Sequence, residues 1–159
     1  MTEMIEMKLK DKSKAEQIKI IEKHLRHYKE YKIGLMTLQK QLDFIMPKIT
    51  PTYMEGSRGM FNVTSSTEIY AIERLEGKRA RMIRADIERY KLIIESIDNA
   101  ISELDGLERE FVNLRYIERK TMSQVAVMMG YSEKHLFNLR RKIMDKLLIS
   151  LRGLININV

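Results

Sequence analysis

Ile83, Ile87, Tyr90, Ile94, Ile97, Ile101 and Leu104 recur at a strict 4-3-4-3-4-3 spacing. A strand turns alternate residues to one face, whereas an apolar repeat near 3.5 forms a single narrow stripe only on a helix. Such a stripe must be covered, so the spacing predicts a long helix and a helical partner for it. Two partners fit: the N-terminal helix folded back as a hairpin, or the same helix of a second copy in a coiled coil. Isoleucine and tyrosine at these positions do not choose between them.

The rest of the chain reads as helical too. Ile21, Leu25, Tyr28, Leu35, Leu38, Leu42 and Ile45 recur at spacings near three and four, which predicts an amphipathic helix from about Ser13 to Met46. Pro47, Pro51, Gly56 and Gly59 then accumulate in one stretch, a connection over about 47–65. Ser65 with Glu68 forms a capping box for the start of the second long helix, and Asp105 is placed to cap a further one. The expected architecture is all-α. An N-terminal long-helix hairpin or coiled coil over 1–104 precedes a compact helical domain over 105–150 and a tail over 151–159.

The formal charge of +7 and a pI near 9.5 point to an anionic partner. Lys and Arg exceed Asp and Glu by 10 to 7 in residues 1–46 and by 10 to 6 in 105–159, so the excess sits at the two ends. The run GKRARMIR, Gly77–Arg84, is a separate basic cluster, read as pairing with acidic residues of the first helix rather than tracking DNA. There is no cysteine, which excludes disulfides and Cys-based zinc sites. No apolar run approaches the roughly 18 residues needed to span a bilayer, and MTEMIEMKLKDKSK contains no apolar core of a secretory signal. A cytoplasmic protein without membrane contact is expected.

The stretch TMSQVAVMMGYSEKHLFNLRRKI, Thr121–Ile143, carries the functional signal. Thr121 and Gln124 make a capping box for a short helix, Gly130 stands where a left-handed C-cap is usual, and Ser132 can cap the next helix. Val125, Met129, Leu136, Leu139 and Ile143 are apolar, and Ala126 is small where two helices must approach. This is the pattern of a helix-turn-helix. At 100° per residue, Leu136, Leu139, Ile143 and Leu147 share one side of the second helix, with Lys134, Asn138 and Arg141 almost opposite. Those three are candidates for reading bases in a major groove. Phe137, beside that row, is placed to touch a thymine methyl, and Ser132, His135, Arg140 and Lys142 are candidates for phosphate contacts. The bland alternative is a solvated basic helix face.

The segment LRYIERKTMSQVAVMMGYSEKHLFNLRRKIMDKL resembles the helix-turn-helix of sigma-factor region 4. It is more similar still to phage and prophage regulators of the ArpU, RinA and Xpf type. The resemblance covers about Leu104 to Leu148, and more loosely Pro47 to Arg74 through "PKIT", "SST" and "AIERLE". It implies a transcriptional regulator, commonly an activator of phage late genes acting with the host RNA polymerase, whose helix from Glu133 reads promoter double-stranded DNA. It also implies residence in the bacterial host cytoplasm; the N-terminal helices are then expected either to form a homodimer or to engage RNA polymerase. Nothing similar to sigma regions 2 and 3 is present, so promoter melting by this chain alone is not expected.

No phosphate loop, nucleophile elbow or HExxH motif occurs, so no enzyme activity, catalytic residue or cofactor is expected. His24, His27 and Glu30 have one-turn spacing, but without a further ligand cluster they read as structural or solvated groups and not as a metal site. Two other functions remain: a small terminase subunit that recognises DNA for packaging, and a structural helical bundle with a basic face.

Overall fold

The computed structural model describes residues 12–45 and 66–157, and every regular element among them is helical. The connection over 47–65 and the capping residue Ser65 lie outside the described residues. No helix among those described is long and apolar enough to cross a membrane.

Helix α1, Lys14–Arg26, begins at a capping box in which the Ser13 hydroxyl accepts from the Glu16 N–H and the Glu16 carboxylate accepts from the Ser13 N–H. The single helix expected from Ser13 to Met46 is instead interrupted at His27, and α2 runs from Tyr28 to Ile45. The Arg119 guanidinium supplies the physical reason. It donates to the Arg26 carbonyl from Nε at 3.2 Å and Nη2 at 2.7 Å, drawing away an acceptor that an unbroken helix would use internally. Arg119 also pairs with Glu30, and its own backbone is left-handed, with φ of 60°. The Glu30 carboxyl is held below its usual range, first by its own backbone N–H and then by Arg119.

Helix α3 runs for 37 residues, Ser66–Ser102. The seam is buried at Ile83, Ile87, Ile94, Ile97 and Leu104 and half-buried at Tyr90 and Ile101. Ile93 and Ala100, off the 4-3 repeat, are buried as well, so the narrow stripe widens toward the C-terminal end of the helix. Helix α4, Gly106–Val112, follows from the Asp105–Glu108 capping box and continues as a π-turn over Asn113–Ile117. Helix α5 is Met122–Met129, α6 is Glu133–Ser150, and a 3-10 turn spans Arg152–Asn156.

The chain divides into two compact units, and neither matches the expected boundary near residue 104. One comprises residues 1–32 and 92–159, the other 33–91. In the first unit, α1 contributes Ile21 and Leu25 to a core that includes Ile97, Phe111, Tyr116, Leu136, Ile143, Met144 and Leu147, all at most 1% exposed. Each such side chain removed from water is worth about 1.5–3 kcal/mol, so α1 belongs to this core and is no appendage to it. The expected tail is also core: Leu151, Leu154 and Ile155 are buried. In the second unit the Tyr90 ring of α3 lies against Gly34 of α2, where a Cβ would come within 3.2 Å of it. Lys78, Arg79 and Arg81 of the basic cluster are exposed.

Of the two readings left open for His24, structural or solvated, the structural one fits: the ring is 3% exposed. Its Nε2 lies 3.2 Å from the Leu154 carbonyl and its Nδ1 2.8 Å from the Tyr31 hydroxyl. A carbonyl only accepts, so Nε2 carries the proton and Nδ1 accepts from Tyr31. Burial lowers the imidazole pKa, opposed by the Leu154 carbonyl. An unfolded histidine titrates near 6.5. The contribution of neutral His24 to stability is therefore complete above that pH and is lost as pH falls toward the lower folded value. Thermal melts should be flat between pH 7.5 and 8.5 and fall below 6.5. His24→Gln should flatten that acid limb, and an unchanged limb in the variant would contradict the assignment.

Candidate nucleic-acid interface

Three helix starts near the interface follow from local chemistry. Asp105 Oδ1 accepts from the Glu108 N–H at 2.8 Å, and Thr121 and Gln124 exchange the two bonds of a capping box. Gly130 closes α5 in the left-handed conformation, φ 72° and ψ 27°, which a glycine adopts without a Cβ penalty. The Gly130 and Tyr131 N–H groups both return to the Ala126 carbonyl. The Ser132 hydroxyl then accepts from the His135 N–H at 3.2 Å, starting α6. Glu133 accepts from the Ser123 hydroxyl, tying the two helix starts together.

The rotation of α6 follows from what it buries. Leu136, Leu139, Ile143 and Leu147 face inward, and Val125 and Ala126 of α5 are buried with them. Lys134, Asn138 and Arg141 are exposed on the opposite side, as are Ser132, His135 and Lys142. Phe137 is 53% exposed, a large apolar ring left in water beside that row. The His135 ring stacks on Tyr131 of the turn, with centroids 4.7 Å apart and planes 16° from parallel.

Arg140 departs from the expectation. Its Nε and Nη2 lie 2.8 and 2.6 Å from Glu22 Oε1 of α1, and the same oxygen accepts from the Tyr116 hydroxyl at 2.7 Å. The guanidinium is thus directed at Glu22 of α1 instead of standing free on the helix surface as expected. Burial is the largest single influence and works against its charge, but the hydrogen bonds and charges of Glu22 and Tyr116 together outweigh it and raise the pKa. Burial first, and then the Glu22 carboxylate, hold the Tyr116 phenol well above its ordinary value, so it stays a donor. Position on the helix explains the outcome: Arg140 stands one turn after Leu136 and one turn before buried Met144, on the margin of the apolar face.

Other pairs also shape the surface. Lys146 donates to both oxygens of buried Glu108 at 2.7 Å. Asp145, one turn beyond Arg141 on the outward row, is paired with Lys14 of α1 at 2.7 Å. Of the five basic residues of α6, Arg140 and Lys146 are therefore held internally. Lys134, Arg141 and Lys142 have no ion pair among the described residues. Glu22 and Tyr116 give no local signal, because their partners lie 118 and 94 residues away along the chain. Among the described residues no His, Cys, Asp and Glu group could hold a metal ion.

Glu22 is 11% and Arg140 32% exposed at the side chain. Removing one member leaves the other charge partly buried, which should cost about 3 kcal/mol, the lower end for a buried pair given the exposure of Arg140. Urea unfolding of Arg140→Met, Glu22→Leu and the double variant should show the double variant losing less than either single one. Additive losses would contradict a coupled pair.

No family model, curated protein or solved structure matches the chain.

Proposed function

We propose that the protein is a non-enzymatic, sequence-specific DNA-binding transcription regulator of the phage or prophage type, with a sigma region-4-like helix-turn-helix. The observation that carries this reading is the turn at Gly130–Ser132. Its left-handed glycine and serine cap aim α6 so that Lys134, Asn138 and Arg141 project together away from the core.

Each of those residue types matches a base edge. Asn138 can donate to and accept from adenine N7 and N6, and Arg141 and Lys134 can donate to guanine O6 and N7. Phe137 offers an apolar surface to a thymine methyl, which explains a ring left half in water. Ser132, His135 and Lys142 flank the row and position α6 on phosphates, while Arg140 orients the helix from inside. The exposed Ile33, Met36 and Phe44 of α2 support association of two copies through the N-terminal helices. Action with the host RNA polymerase in the bacterial cytoplasm completes the reading.

Binding of a labelled duplex across a salt series tests it. The three cations of α6 that have no ion pair among the described residues give a log-log slope at least as steep as about −2.7, at roughly 0.9 per phosphate neutralised. Arg141→Ala should reduce discrimination between sequences, and Lys142→Ala should weaken all sequences alike. Absence of salt-dependent binding to any duplex would overturn the proposal. A large ring in native mass spectrometry would favour a packaging subunit over a regulator.

A further inference from the structure

Helix α1 lies against the recognition helix on the side that carries the outward row. Lys14 pairs with Asp145 at the end of that row, and Ile18 borders a cleft whose other wall includes Phe137 and Arg141. One turn on, Glu22 holds Arg140. The buried side of α1 is Ile21, His24 and Leu25. Lys19, Lys23 and Arg26 stand at i, i+4 and i+7, a single row on the solvent side, with Lys19 and Arg26 one turn either side of Glu22. All three are exposed, and among the described residues none is ion-paired. The Arg26 guanidinium is held over the Tyr116 ring, 5.8 Å from its centroid. The row is about 10 Å long at 1.5 Å per residue.

A solvated basic row is common on helices and by itself carries little. Here its placement gives it a role. The Lys14–Asp145 pair is exposed and adds little stability, but it cancels the one acid on the outward row of α6 that would repel phosphates. The same helix that performs this neutralisation then presents three cations flanking the residue that orients α6. We propose that α1 forms a second DNA-backbone surface, on which Lys19, Lys23 and Arg26 track the phosphates beside the groove entered by α6. This rests on the DNA-binding reading above and adds a positioning surface to it, with no base readout of its own.

The charge count separates the two. With the α1 row engaged, six cations act instead of three, and the slope steepens to about −5. The test uses the full chain and a 40-base-pair duplex of random sequence in a salt series. Lys19→Gln/Lys23→Gln should lower the slope magnitude by about 1.8. Binding at 0.1 M salt should then weaken roughly 50-fold, with convergence on the unsubstituted protein toward 1 M. Arg26 is left in place because it also packs on Tyr116. Both lysines are exposed and have no ion pair among the described residues, so the thermal melt should not move. Lys78→Gln/Arg79→Gln removes the same charge from α3 and should leave the slope unchanged. An unchanged slope in the α1 variant, or an equal loss in the α3 variant, overturns this proposal while leaving DNA binding standing. No salt-dependent binding by the unsubstituted protein overturns the DNA-binding reading itself.

Discussion

One oxygen of Glu22 takes bonds from Arg140 and Tyr116, and the orientation of α6 depends on it. A carboxylate at 8% residue exposure is costly to bury without hydrogen-bond partners, and here three N–H and O–H donors converge on its Oε1. The contact joins residues 118 apart and fixes α1 to α6 across the core formed by Ile21, Leu25, Leu136 and Ile143. Glu108 performs a similar task further along α6, holding Lys146. Two buried acids therefore bind two of the five bases of the helix internally, and what remains outward is Lys134, Arg141 and Lys142.

That division of labour is how a strongly basic helix can have a defined rotation. The apolar residues choose the inward side, and the ion pairs of Arg140 and Lys146 with the buried acids Glu22 and Glu108 restrict the rotation further. The turn sets the other angle, with Gly130 in a conformation that a Cβ disfavours and Ser132 satisfying the first N–H of α6. A rigid presentation of this kind suits direct readout, where a bidentate contact is worth about 1–3 kcal/mol of discrimination only if its geometry is held. His24 and Arg119 extend the same logic to the periphery, tying the 3-10 turn and the loop before α5 to the N-terminal helices.

Local chemistry was legible in the sequence, and contacts over long separations were not. The caps at Asp105, Thr121 and Ser132 form where their residue types and spacings place them, because a cap depends on three or four consecutive residues. The seam on α3 and the buried stripe of α6 follow from periodicity alone. Arg140 was misread because its type, a guanidinium on a basic helix, was given more weight than its angle, one turn from Leu136. The burial of His24 against the segment Leu151–Ile155 was not legible because these partners are about 130 residues apart. The break at His27 has a distant cause as well, the Arg119 side chain 93 residues on. The outward placement of Lys134, Asn138 and Arg141 followed from helix phase, while the packing of α1 beside α6 required the fold.

The most direct measurement of the central claim is an amide chemical-shift titration of the protein with a duplex. Shifts concentrated at Ser132–Lys142, with the buried Val125 and Ile143 little changed, are the expected result. Shifts that spare the N-terminal half of α6 while appearing elsewhere would contradict the assignment of α6 as the element that enters the groove.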